Sequence, residues 1–107
     1  MKNILCVIQN YHKSDIAQQE LMDCLLACVL HRKCEILFLD RAVAYLEKSH
    51  PLAKQFAAFK HYGINTLFAE KIAIEKLPSA IIDVHVSLLD AETIKKLLHQ
   101  DCFIWSN

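Results

Sequence analysis

Five cysteines and six histidines are the side chains of this 107-residue sequence best suited to nucleophilic, redox or metal chemistry. Cys24 and Cys28 stand four residues apart, a spacing that brings two sulfurs to one helix face, where a metal would still need ligands from elsewhere. Small apolar residues that pack a helix are the favoured reading of that pair. Cys6, Cys34 and Cys102 fall in or beside apolar runs, where burial raises a thiol's pKa and leaves it inert. Of these, Cys34 and Cys102 stand where strand ends could expose them, so either is a candidate to carry sulfur. His12, His31, His50, His61, His85 and His99 contain no H-E-x-x-H and no two spaced four apart on a helix, so no zinc site is expected.

Two further constellations are weighed against plainer readings. Asp83 and His85 alternate on one strand face and could pair, but a half-exposed strand alternates polar residues without any catalysis. The first turn, Gln9-Asn10-Tyr11-His12-Lys13-Ser14, lacks the glycines that let bare backbone approach phosphate. Asn10, Lys13 and Ser14 could hold an anion there, although a solvated loop capping a helix accounts for the same residues. Arg32-Lys33, Glu47-Lys48 and Lys95-Lys96 read as solvated faces. No catalytic, cofactor-binding or metal-binding residue is therefore assigned.

Composition narrows the function classes. With zero formal net charge, the chain lacks the basic excess that steers proteins onto nucleic acid or anionic membranes. Its 54% hydrophobic content argues against disorder and favours a single domain over 1–107 that hides some apolar surface in an oligomer. An odd number of scattered cysteines suits a reducing compartment. Met1-Lys2-Asn3 leads straight into a short apolar run without the pattern of a secretory leader, and no run approaches the roughly 20 apolar residues of a membrane span. Cytoplasmic residence is the expectation.

The elements that would position these residues follow from periodicity. Ile4-Leu5-Cys6-Val7-Ile8 is a continuous apolar run suited to a central parallel strand buried on both faces. Leu21, Leu25 and Cys28, with Met22, Leu26 and Val29, predict a helix over 15–31, capped by Ser14 or by an Asp15/Gln18 box. Glu35 to Leu39 predicts a second strand running through Asp40 into a short helix at Ala42 to Leu46. Pro51 can start another helix with Leu52, Phe56 and Phe59 on one side, closed by Gly63 in a left-handed cap. Thr66 to Ala69, Ala80 to Val86 and Cys102 to Trp105 predict three more strands. A weak helical turn at Lys71 to Leu77 and a helix after Asp90 separate them. Asp83, His85 and Ser87 would face one way and Ile82, Val84, Val86 and Leu88 the other, as at a sheet edge. Strands alternating with helices imply an α/β three-layer sandwich, a mainly parallel five-stranded sheet flanked by helices.

The order of these pieces resembles the TusC/DsrF branch of the DsrE-like proteins. The stretches that carry the likeness are Met1-Lys2-Asn3-Ile4, Leu21-Met22-Asp23-Cys24-Leu25-Leu26-Ala27, Ile36 to Val43, and Phe56-Ala57-Ala58-Phe59-Lys60-His61-Tyr62-Gly63-Ile64. The family's usual Asp-Gly-Val after the second strand reads Asp40-Arg41-Ala42-Val43 here. The resemblance implies a subunit of a TusBCD/DsrEFH-like heterohexamer, beside TusB/DsrH-like and TusD/DsrE-like partners, that relays persulfide sulfur. Its end would be 2-thiolation of a tRNA wobble uridine or cytoplasmic sulfur oxidation. In that family the catalytic cysteine belongs to the TusD/DsrE partner, just after its third strand. The equivalent place here is Phe68-Ala69-Glu70-Lys71, with no thiol. A non-catalytic subunit without cofactor is the leading expectation. The alternatives are a sulfur carrier using Cys102 or Cys34, and a stand-alone homo-oligomeric binder of small molecules, with Asn10, Lys13 and Asp40 at a cleft over the strand carboxyl ends.

Overall fold

The computed structural model describes residues 3–31, 33–64, 66–82, 85–100 and 102–107, with the side chains of His31 and Phe103 outside that set. The order is β1 (Ile4–Ile8), α1 (Asp15–His31), β2 (Cys34–Phe38), a 3-10 helix (Asp40–Leu46), α2 (Ala53–Ala58), a second 3-10 turn (Phe59–Tyr62), β3 (Leu67–Glu70), α3 (Lys71–Glu75), β4 (Val86–Leu89), α4 (Ala91–Leu98) and β5 (Phe103–Ser106). All strands run parallel in one sheet of order β4-β3-β2-β1-β5.

That order decides which face each connection covers. The links from β1 to β2, β2 to β3 and β3 to β4 all step the same way, so right-handed crossovers stack them on one face. The link from β4 to β5 jumps from one edge of the sheet to the other and must cross the opposite face. The two cores obey this. Cys6, Ile8, Ile36, Phe38, Leu67 and Ala69 pack against Leu21, Met22, Leu25 and Val29 of α1 and against the 42–59 segment. Leu5, Val7 and Leu37, on the other face, cluster with Ile94 and Leu97 of α4, the buried side chains that meet them there among the described residues.

An aromatic cluster fastens the long β2-to-β3 connection to the sheet. Phe38 meets Phe56 edge-on at 5.0 Å between centroids, and Phe56 meets Phe59 at 5.6 Å in the same manner. Gly63 closes the segment at φ 90, as the sequence predicts.

Several predicted boundaries move. The second, third and fifth strands are each offset by one residue, and α1 is capped by Ser14, whose Oγ accepts from the Ala17 amide at 3.4 Å. No Asp15/Gln18 box forms. Gln18 is buried instead, and its Nε2 donates to the His12 carbonyl at 2.8 Å, tying the first turn to the helix.

The largest correction concerns the fourth strand, expected at Ala80 to Val86 and found at Val86–Leu89. A parallel strand must begin where its neighbour begins, at the amino edge. The five residues of α3 carry the chain back only about 7.5 Å at 1.5 Å per residue. The apolar stretch after Pro78 therefore serves as the rest of the crossover. Ala80 accepts from the Lys48 amide at 2.9 Å, Ile82 donates to the Leu46 carbonyl at 2.7 Å, and Ile81 makes an isolated antiparallel bridge with Glu47. Sheet pairing resumes when the Leu67 amide donates to the His85 carbonyl at 3.0 Å. Strand β4 does lie at an edge, with Val86 and Leu88 paired to Leu67 and Ala69 and Ser87 paired to Phe68. Asp83 and Val84 lie outside the described residues.

Candidate functional site

In a parallel α/β sheet, chemistry gathers outside the strand carboxyl ends, where neighbouring strands lead to opposite faces. Here that switch lies between β3 and β4, since β3 feeds α3 on one face and β4 feeds α4 on the other. The residues at the switch are Glu70, Lys71 and Asp90. Glu70 is spoken for: its Oε1 accepts the Asp40 amide at 2.9 Å, joining the ends of β3 and β2. Asp40 takes a left-handed turn, φ 50, which an aspartate tolerates better than most residues and which swings its amide toward Glu70. Asp90 caps α4 by accepting the Thr93 amide at 2.8 Å. That hydrogen bond holds its carboxyl below the usual carboxylate range, with Lys96 and Lys71 adding to the effect. The edge thus carries carboxylates and an ammonium, each anchored to the fold or open to solvent, and no sulfur.

The first turn does not gather an anion site. Asn10 Nδ2 donates to the Asn107 carbonyl at 2.9 Å, the Gln9 amide donates to Asn107 Oδ1 at 3.2 Å, and Ser14 caps α1. Lys13 is left exposed without them.

Beside this edge the chain builds a feature that residue spacing does not announce. Tyr11, after β1, stacks obliquely on Tyr45 of the 3-10 helix at 4.8 Å, and His50 meets both rings edge-on at 5.6 and 5.1 Å. The Leu52 amide donates to His50 Nδ1 at 3.1 Å, so that nitrogen bears a lone pair and the ring proton sits on Nε2. Nε2–H then donates to Tyr11 Oη at 3.0 Å. Burial lowers the His50 pKa, outweighing the opposing pull of Glu47, which agrees with a neutral ring. Tyr45 is fully buried and accepts the His12 amide at 2.9 Å; burial pushes its phenol pKa upward despite that bond.

Tyr11 of this cluster lines a cavity of about 350 Å³. Val43 and Ala44 of the 3-10 helix, Ala73 of α3, Leu77 and Pro78 make its body apolar, while Asp40, Arg41, Glu47 and Lys76 stand around it with Tyr11. Glu47 already accepts the Ser79 hydroxyl. Asp40 was nominated by sequence for a cleft here. Tyr11, Arg41 and Lys76 were not, because their separations in the chain follow no helical or strand period.

The cysteines separate by burial. Cys6 and Cys34 are buried, and both thiol pKa values are raised, chiefly by desolvation and then by neighbouring thiols. Cys28 packs half-buried against the same core, as predicted for a helix-packing residue. Cys102 is half-buried under α4, beside Leu5 and Val7. Cys24 departs from the expectation. It is exposed, in a hollow of about 240 Å³ shared with His12, Glu20 and Trp105. Cys34 also borders a broad hollow of about 720 Å³ at the amino ends of the strands, with Lys33, Glu35 and Thr66. His85 is exposed, and its proposed partner Asp83 lies outside the described residues. Among the described residues no group of three or more His, Cys, Asp or Glu side chains could hold a metal ion, and no helix is long and apolar enough to cross a membrane.

The sequence matches no family model and no curated protein. Its structure resembles that of the ychN protein from E. coli, with a TM-score of 0.73 at 12% identity over 100% of both chains. The chain therefore has the DsrE-like fold, a five-stranded parallel sheet between helical layers.

Proposed function

We propose that the chain is a non-catalytic subunit of a cytoplasmic sulfur-relay assembly of the TusBCD/DsrEFH kind, packed against TusB/DsrH-like and TusD/DsrE-like partners and serving tRNA thiolation or sulfur oxidation. The observation that carries this reading is the carboxyl end of β3. In the family this chain resembles, the persulfide cysteine stands there and must be an accessible thiolate, whereas this chain has Glu70, held by the Asp40 amide, followed by Lys71. The whole-chain likeness to a DsrE-like structure supports the same reading at the level of fold. The chain's contribution is then to complete the assembly and position the partner's cysteine.

Co-expression with TusB- and TusD-like chains tests the proposal. A stable hetero-oligomer is expected in which a persulfide donor adds sulfur mass to the TusD-like chain alone. A chain that stays monodisperse and ignores those partners would end this reading. Sulfur added to this chain and abolished by Cys102→Ser or Cys34→Ser would replace it with the carrier alternative. The burial and raised thiol pKa of Cys34 weigh against that residue.

A further inference from the structure

The cavity beside Tyr11 is more than a gap between elements, because its polar groups have unspent hydrogen-bonding capacity of defined kinds. Since His50 donates to Tyr11 Oη, that oxygen is satisfied as an acceptor and its own proton remains free to donate at the cavity wall. Among the described residues neither Arg41 nor Lys76 is engaged in an ion pair, although both face the same space. The Asp40 carboxylate also has no partner there, its backbone amide alone being used. The remaining carboxylate, Glu47, holds Ser79.

We infer that this cavity binds a small zwitterion with an apolar body, of the class of an apolar α-amino acid. Its carboxylate would meet Arg41, Lys76 and the Tyr11 hydroxyl, and its ammonium would meet Asp40. Its hydrocarbon portion would lie on Val43, Ala44 and Leu77. The charge inventory selects this class. Two cations and two carboxylates stand around the cavity, so a simple acid would bring its carboxylate up to Asp40 with no ammonium to answer it, and a simple amine would offer Arg41 and Lys76 no anion. The volume of about 350 Å³ falls at the small end of ligand sites, and an apolar body with few convergent polar groups is their usual build. The test needs only the isolated full chain and no partner, so either idea can fail alone.

Titration calorimetry of the full chain with L-leucine, 4-methylpentanoate, 3-methylbutylamine and glycine tests the inference. Leucine should bind saturably, and each analogue should bind about tenfold or more weakly, since each lacks one charged contact or the apolar body. Arg41→Gln, at an exposed residue, should weaken leucine and 4-methylpentanoate alike, while Asp40→Asn should weaken leucine and strengthen 4-methylpentanoate, closing the gap between them. Tyr11→Phe keeps the ring against Tyr45 and should weaken both carboxylates, with its melting curve reporting that the fold persists. Absence of saturable leucine binding would overturn the inference. So would 4-methylpentanoate binding as tightly as leucine, or indifference of leucine to Arg41→Gln.

Discussion

His50 enters the fold as a neutral imidazole that accepts from Leu52 and donates to Tyr11, and this makes it a source of pH dependence. Its folded pKa lies below the ordinary 6.5. The unfolded chain therefore binds more protons than the native one as pH falls through that value, and stability declines from there down toward the folded pKa. Above it the contribution is complete. Urea midpoints measured from about pH 7.5 to about pH 5 should fall more steeply for the native sequence than for His50→Gln, which has no such titration. Cysteine reactivity belongs to the same scale. Brief iodoacetamide treatment with mass mapping should label Cys24 first and Cys6 and Cys34 last, following exposure and the raised pKa values of the buried pair. Apolar neighbours favour burial of Cys6, Cys34 and Cys102, with the last two at strand ends, and helical spacing gives Cys28 a packing role; Cys6 and Cys34 are buried and Cys28 and Cys102 half-buried. The same spacing misplaces Cys24, because a separation of four says that two residues share a helix flank without saying how far around that flank the neighbouring layer reaches.

At the scale of elements, the helix over 15–31 is readable because its apolar residues recur at three and four, and β1 because its apolar run is unbroken. The run after Pro78 carries a strand-like pattern just as clearly, yet it serves as a crossover. What distinguishes the two uses is the length of α3, a tertiary requirement that no window of residues contains. The cavity is hidden for a related reason: its walls come from the β1 loop, the 3-10 helix and α3, brought together only by the sheet order. Helix α4 was legible down to its cap. Asp90→Ala should remove the acceptor for the Thr93 amide and lower stability, read as a lower denaturation midpoint with unchanged slope. Leu97→Ala, beneath the same helix, should cost about 2–4 kcal/mol, since Leu97 is one of two α4 side chains buried on that face.

For the molecule as a whole, the two faces of the sheet are unequally served. Three connections cover one face and a single helix the other. The strand beside β1 on its second flank is β5, so Leu5 is matched with Ile104 across almost the whole length of the chain. This pairing sets a timetable. During synthesis β1 is made before the other strands, and its free edge must wait for β5 while Leu5, Val7 and Leu37 wait for α4. A pairing so distant in sequence closes slowly, and an open strand edge is a template for association. Chains halted before Ala91 should accumulate as aggregates, whereas chains that include α4 and β5 fold, a difference that solubility of truncated translation products would reveal. The last strand to emerge thus acts as a latch on the first, and the hazard for this protein is concentrated in the interval before it closes.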